Sequence, residues 1–345
     1  MALQLKLTSW NAEWVDKLFD NPLDQKKLLR INAIAEEISA INPDILCLIE
    51  GPNGEQRIDD FCNTFLNGNY IPIKENLKLY KTLGRQWIWF LVKPDIAKES
   101  SILSPDIWDD FAGQRWDVHY WGDFNNEPHT HYRHPQVLIY NWTHSKGKER
   151  LEFIGLHTKS KFVNQGERMW KAGGTERNQF IHDAIKARIK MTTEVTNVRK
   201  YIDKKFTQVV NPAIFVLGDL NDGPGKEYFE SQYLFFDLLS NLQGSIFEAT
   251  MFLNHSLFDF KEDLRWTCVF DDFVEGTKDN KILLDHILFT QGIVNGSLPV
   301  IVEEKAGYVE HEIHDLINAT LPNYAKTSDH RPVSLIITEN LKYQI

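Results

Sequence analysis

Short apolar runs recur from one end of this sequence to the other: LQLKLTSW, DILCLIE, WIWFLVK, PQVLIYNW, LEFIGLH, AIFVLGD, ILLDHILFT and VSLIITE. Most are rich in β-branched or aromatic residues and are bounded by turn formers, as strands are. Helical periodicity lies between them. Leu28, Ile31, Ile34, Ala35 and Ile38 share one helix face, with Pro43 beyond it. From about 175 to 206, Ile181, Ile185, Ile189, Val195, Val198 and Ile202 form an apolar stripe among Lys and Arg, facing either a sheet or a second subunit. A third helix is expected over 226–239. Interspersed strands and helices predict an α+β fold with sheets packed under helices. No repeat, low-complexity tract or linker interrupts the pattern. One domain spanning 1–345 is therefore expected, with a basic loop-and-helix elaboration at about 160–206.

Composition narrows the setting. Apolar and charged fractions of 42% and 25% are those of a soluble globular protein. No stretch of about 18 apolar residues exists, which argues against a membrane span. The first residues alternate like a strand and lack a basic segment followed by an apolar one, so no secretory signal is read. Cys47, Cys62 and Cys268 have no ligand spacing. They imply neither a disulfide framework nor a zinc site, and a cytoplasmic location is expected. The net charge of −10 is uneven, because His144 to Phe206 holds fifteen Lys and Arg against seven Asp and Glu. Such a segment either binds a polyanion or forms a solvated helix face.

The polar ends of the strands carry the chemistry. AIFVLGD runs into Asp219, Asn221 and Asp222, then a Gly-Pro-Gly turn at 223–225. Side chains two apart leave a strand on one side, so Asp219 and Asn221 are expected to reach one spot. The carboxylate there can take a proton from water and the amide can donate to a developing anion, although such residues also make ordinary Asx turns. TSDHRPVSL sets Asp329 and His330 before a strand, with Pro332 keeping Arg331 extended. Glu50 follows an apolar strand and precedes Gly51 and Pro52, and a hard oxygen ligand at a strand tip suits magnesium. Asn11 closes the first strand, and FIGLHTKSK supplies His157, Lys159 and Lys161. Asp285 sits among Leu and Ile, where a carboxylate is costly unless paired, and histidine is its natural mate. His286, on the opposite face, is read as structural.

Taken in order, Asn11, Glu50, His157, Asp219 with Asn221, Asp285, and Asp329 with His330 form a series. It resembles the endonuclease/exonuclease/phosphatase superfamily, deoxyribonuclease I-like and magnesium-dependent, over about residues 5–340. GDLND is similar to the family's G-D-x-N, SDHRPV to its S-D-H-x-P, and LHTKSK to its H-L-K-S. HYRHPQV, with Arg133, looks like its phosphate-binding Arg-x-Pro. The resemblance implies a four-layer α/β/β/α sandwich, two mixed β-sheets face to face with helices outside and the site at the sheet edges. It implies an Mg²⁺ (or Mn²⁺) site at Glu50, with Asn11 and Asp329 as close or water-mediated partners. It also implies Asp219 as the base that activates water, Asn221 and His157 as donors to phosphate oxygens, and His330 as an electrostatic stabiliser oriented by Asp285. Lys159 and Lys161 join Arg133 as candidate phosphate contacts.

The resemblance stops short of the substrate. Between 159 and 206, Arg168, Lys171 and Arg177 interleave with Phe162 and Trp170, which suits a single-stranded nucleic acid. The same rings would equally anchor a long loop. A nuclease acting on DNA or RNA is the leading expectation. A phosphoesterase for a small phosphorylated sugar, nucleotide or lipid headgroup is the alternative, and a non-catalytic binding protein on the same fold is the third. Trp121, Gly122, Asp123 and Asn125 form a superficially similar phosphatase motif, but stand before His157 and out of order. His129, His131 and His134 are read as substrate contacts or surface histidines, since no carboxylate or cysteine has an evident place beside them.

Overall fold

The computed structural model describes residues 2–20, 23–74, 86–103, 115–120, 126–131, 133–224, 227–234 and 237–343. Eight strands make its centre: β1 (Gln4–Asn11), β2 (Ile45–Gly51), β3 (Trp87–Val92), β4 (Gln136–His144), β5 (Gly147–His157), β6 (Ala213–Asp219), β7 (Asp285–Thr290) and β8 (Val333–Glu339). They divide between two mixed sheets. In one the order is β8–β1–β2–β3, with β1 parallel to β2 and the other pairs antiparallel. In the other it is β7–β6–β5–β4, with β6 parallel to β5 and the rest antiparallel. Short edge strands extend both sheets. ILLDHILFT is split, because the antiparallel hairpin of Cys268–Asp272 and Thr277–Ile282 ends before β7 begins.

The sheets face one another across a shared core. Leu7, Cys47, Ile49 and Phe90 from the first meet Phe153, Phe215, Leu217 and Phe289 from the second. The Phe153 and Phe215 rings stack at 5.0 Å. Helix α1 (Gln25–Ile41) covers the outer face of the first sheet, laying Ile31, Ile34 and Ile38 on Trp10, Leu46, Leu48 and Trp89. Its start is fixed by the Asp24 side chain accepting from Lys27 N, and its end by Asn42 in the left-handed region before Pro43. Helix α2 (Gly174–Gln208) covers the second sheet, with Met191, Val195, Val198 and Ile202 on Val137, Ile154, Ile214 and Val216. Each such aliphatic side chain contributes about 1.5–3 kcal/mol, so packing of the stripe holds α2 in place. The result is the α/β/β/α sandwich, with Val195, Val198 and Ile202 of the stripe on the chain's own sheet, Ile185 and Ile189 against Val118 and Tyr120, and Ile181 beside Phe180 and Phe229.

Two expectations need correction or fall outside the described residues. The single helix over 226–239 is instead two short ones, Tyr228–Tyr233 and Leu238–Gln243. The Asp237 side chain accepts from Leu239 N and Ser240 N, which starts a new helix there. Trp121, Gly122, Asp123, Asn125 and Gly225 lie outside the described residues. Among the described residues, no helix is long and apolar enough to cross a membrane.

Candidate active site

Strand direction explains why distant residues meet. The parallel strands β1 and β2 finish together, with Asn11 beside Ile49 and Glu50 next. The parallel strands β5 and β6 do the same, setting His157 beside Asp219. β7 runs the other way, so its first residue, Asp285, lies opposite Asp219. β8 is antiparallel to β1 with Val333 opposite Ser9, and the residues preceding it therefore pass the tip of β1. The Asn11 amide ties the sheets together, donating to Asp219 Oδ2 at 2.9 Å and to Glu50 Oε1 at 3.3 Å. His157 Nε2 lies 3.5 Å from Asp219 Oδ2 and 3.9 Å from Glu50 Oε1. His330 Nδ1 donates to Asp285 Oδ2 at 2.8 Å, which leaves Nε2 at 4.0 Å from Asp219 Oδ2 and 3.9 Å from Asp329 Oδ1. The loop is latched by Ser328 Oγ, which donates to Asn11 O at 2.7 Å and accepts from His330 N at 3.0 Å.

Unusual backbone aims these groups. Glu50 has φ +59° at a bulge, where the β2–β3 register shifts between Leu48 and Gly51, and Trp14 N donates to its Oε2 at 2.8 Å. Gly218 has φ +144°, and a Cβ there would lie 1.8 Å from Leu156 O, so β5 and β6 approach closely just before Asp219. Asn221 is not placed by strand alternation. β6 ends at Asp219, and Asn221 sits beyond it at φ +51°, with its N–H donating to Asp219 Oδ1 at 2.8 Å. This is the Asx turn, and it still delivers the amide to the site, where Nδ2 donates to Thr158 O at 3.2 Å.

The electrostatics divide the groups by role. Burial pushes the Asp219 carboxyl up to about 6, with Asp285 adding and His330 opposing. Burial opposes charge on His330, but Asp285 and Asp219 together hold it well above an ordinary histidine, as an imidazolium with Nε2–H facing Asp219. Burial, then Arg133 and His330, keep His157 well below that value and neutral. The Cys268 thiol beside His330 is pushed up to about 12 by burial and stays protonated. Just past β1, Glu13 is raised by burial, then by Asp329, opposed by Arg30 and raised further by Glu50. Glu13, Glu50 and Asp329 thus share one field, with Arg30 contacting Glu13 Oε2 at 3.0 Å. Hard oxygen donors suit a divalent cation such as Mg²⁺, although Glu13, Glu50 and Asp329 do not form one of the clusters, among the described residues, whose potential ligand atoms all lie within 4.8 Å of one another.

No protein-family model matches the sequence, and no curated protein matches it. Solved structures do. An endonuclease/exonuclease/phosphatase from Bacteroides vulgatus aligns over 98% of this chain and 99% of its own, at TM-score 0.50 and 11% identity. D. rerio TDP2 complexed with single strand DNA product aligns over 97% of this chain and 98% of its own, at TM-score 0.50 and 14% identity. The chain has the endonuclease/exonuclease/phosphatase fold.

Around the centre of this endonuclease/exonuclease/phosphatase fold, the other predicted residues are placed unequally. Arg133 Nη1 donates to Thr158 O at 3.1 Å and Nε to Gln86 Oε1 at 2.9 Å, close enough to depress His157. Lys159 N donates to Glu194 Oε2 at 2.8 Å, and its ammonium donates to Ser160 O at 3.0 Å. Lys161 is held by Asp222 at 3.4 Å, by Glu230 at 3.7 Å and by Glu227. Asp329 is half exposed at the rim. Sequence reading missed Glu13, Arg30, Gln86 and Thr158, and "NAE" just past the first strand was the one local signal for Glu13.

The basic segment is largely satisfied within the molecule. Lys186 and Lys190 reach Glu127 at 3.0 and 2.9 Å, Lys205 reaches Glu152 at 3.1 Å, and Arg168 reaches Glu176 at 2.5 Å. Trp170 packs edge-on to Phe180 at 5.7 Å and under Arg177 at 4.6 Å, so it anchors its loop, whereas Phe162 is 74% exposed. The histidine cluster is not on the surface. His131 and His134 are buried, His129 Nε2 lies 2.8 Å from Glu194 Oε1, and Asn197 Nδ2 donates to His131 Nε2 at 3.2 Å. Burial, with His134 and His129, lowers His131 to about 3. Glu194 comes from α2, far away in sequence, which is why no carboxylate was evident. His286 is structural as expected, with its rings' nitrogens bonded to His255 and to Asp222 O.

Proposed function

We propose that this protein is a divalent-metal-dependent phosphoesterase hydrolysing phosphodiester bonds, with a strand of DNA or RNA as its substrate. The observation that carries the reading is the gathering of Asn11, Glu50, His157, Asp219 and the His330–Asp285 pair at one rim, from both sheets. Glu50, with Asn11, Asp329 and Glu13 beside it, would hold Mg²⁺ (or Mn²⁺). A bound ion supplies charge neutralisation at a non-bridging phosphate oxygen.

The chain's own residues do the rest. Asp219, raised toward neutrality, takes the proton of the attacking water. Neutral His157 and the Asn221 amide donate to non-bridging oxygens. The His330 imidazolium, kept charged and aimed by Asp285, stabilises negative charge in the transition state. Arg133, beside His157, adds positive charge on the phosphate side. Such hydrolysis is very slow uncatalysed, so both positioning and charge stabilisation are needed.

A nucleic-acid substrate is supported by exposed Phe162 beside the site's basic loop, and at the level of fold by the neighbour solved with single strand DNA product. One observation favours the second reading, a compact phosphoester: the lysines of α2 are bonded to Glu127 and Glu152. The cytoplasmic placement rests on three buried free thiols, which suit a reducing compartment. Purified protein with Mg²⁺ or Mn²⁺, against EDTA, is offered single-stranded DNA, duplex DNA, RNA, cyclic dinucleotides and inositol phosphates. Metal-dependent cleavage of strands that weakens steeply with salt supports the nuclease; a flat salt response supports the compact substrate. Hydrolysis of none of them with either metal would overturn the proposal.

A further inference from the structure

We infer that Glu194, buried in α2, is a positioning residue that fixes the Thr158–Lys159 peptide and through it the phosphate donors Arg133 and Asn221, an inference that rests on the phosphoesterase reading. Glu194 is 1% exposed, and a carboxylate so buried is costly unless its oxygens are bonded. One oxygen, Oε2, accepts from Lys159 N at 2.8 Å, and Oε1 lies 2.8 Å from His129 Nε2. A carboxylate only accepts, so His129 carries its proton on Nε2. Neighbouring Val195 packs on the second sheet with Met191 and Val198, so the core sets the helix register that presents Glu194. His129 is held in turn by Trp116, edge-on at 5.2 Å across the hairpin of Trp116–His119 and Asn126–His129.

The peptide that Glu194 grips stands directly after β5, where His157 ends the strand. A trans peptide points its N–H and C=O in opposite directions. With Lys159 N–H turned to α2, the Thr158 carbonyl faces the other way. There it accepts twice, from Arg133 Nη1 at 3.1 Å and from Asn221 Nδ2 at 3.2 Å, as its two lone pairs allow. Asn221 Nδ2 carries two hydrogens, so anchoring one on Thr158 aims the other. Thr158 is tied to the neighbouring strand tip, its N–H donating to Asp219 O at 3.1 Å and its Oγ1 to Leu220 O at 2.6 Å. These bonds hold the peptide before Thr158. The one after it turns about ψ of Thr158 and φ of Lys159, and the Glu194 bond holds it from the side away from the phosphate. A charged acceptor also polarises the peptide, which strengthens its carbonyl as an acceptor. Rotation would withdraw the oxygen on which Arg133 and Asn221 are aligned.

The test compares phosphate binding and turnover in full-length variants. E194M keeps the length of the side chain and removes its acceptors. E194Q restores an acceptor for Lys159 N, and His129 meets the new amide by changing tautomer. With Mg²⁺ present, E194M is expected to bind inorganic phosphate about tenfold more weakly by calorimetry and to lower kcat about tenfold. E194Q should stay within about threefold of wild type in both. Mn²⁺ affinity should be unchanged in either variant, which a general distortion of the strand tips would not allow. Should E194M fail to fold, H129L unlatches Glu194 Oε1 and is expected to show the same losses at about threefold. A folded E194M, or H129L in its place, with wild-type phosphate affinity and kcat would overturn the positioning role while leaving the phosphoesterase standing. So would losses that E194Q does not rescue, or that extend to Mn²⁺. Weakened phosphate binding rescued by E194Q, in a protein whose wild type hydrolyses no ester, would do the reverse.

Discussion

Replacing Lys161 by Met separates a structural role from a phosphate-binding one. Its ammonium is the hub of a small ionic network, 3.4 Å from Asp222 Oδ1, 3.7 Å from Glu230 Oε1 and in contact with Glu227. Arg188 is a second cation, 3.6 Å from Glu227 and 3.5 Å from Glu230. Burial works against the charge on Lys161, yet Glu227, Asp222 and Glu230 raise its affinity for the proton above that of an ordinary lysine. One charge pair near 3.5 Å is worth about 4–5 kcal/mol gross at an effective dielectric of ~20, and desolvation of the ammonium cancels much of it. Removing one partner from a buried pair costs about 3–5 kcal/mol net, because the other charges are left stranded. With 19% of the Lys161 side chain exposed, the lower end applies, about 3 kcal/mol. Urea unfolding at pH 7 measures it as a lowered midpoint at constant slope. The deficit should shrink at pH 5, where the stranded carboxylates bind protons more readily in the folded variant than in the unfolded chain. A loss below about 1 kcal/mol, joined to a raised KM for phosphate esters, would refute this and make Lys161 a substrate ligand.

Other expectations follow from the same physics. Burial, then Asp222, push Glu230 up to about 9, so it carries a proton at pH 7. Its contribution is full below its ordinary value near 4.5 and fades as pH climbs through about 9. E230Q should therefore unfold within about 1 kcal/mol of wild type at neutral pH and flatten stability across that window, while a large loss at pH 7 would show that Glu230 is needed as a charge. D285N removes a charge-assisted bond worth about 1.5–3 kcal/mol, so kcat should fall about 10- to 100-fold; an unchanged kcat would detach Asp285 from His330's role. E50Q should weaken Mn²⁺ binding, read by calorimetry, at least about tenfold, and unaltered affinity would move the ion elsewhere.

Local pattern made part of this molecule readable, and long-range pairing hid the remainder. Asn11, Glu50, His157, Asp219 and Asp285 sit at or beside strand ends, a position that apolar runs and turn formers reveal directly. Their convergence follows from which strands are parallel, which no single segment encodes. Asn221 came to the site by a left-handed turn instead of an alternating strand, since the strand stops two residues earlier. The basic surplus between 144 and 206 is a sum of charges, and a sum cannot show that Glu127 neutralises Lys186 and Lys190. For the same reason His129 and His131 looked partnerless until Glu194 and Asn197 arrived from α2.

Asp219→Asn, assayed for metal-dependent phosphodiester hydrolysis beside the wild type, tests the whole arrangement most directly. The carboxylate accepts from Asn11 and the Asn221 backbone, and it lies 3.5 Å from His157 Nε2 and 4.0 Å from His330 Nε2. Loss of the base should lower kcat by about 10²- to 10⁴-fold while the unfolding midpoint stays close to wild type. A folded variant that turns over at the wild-type rate would contradict the claim that these strand tips form one catalytic centre.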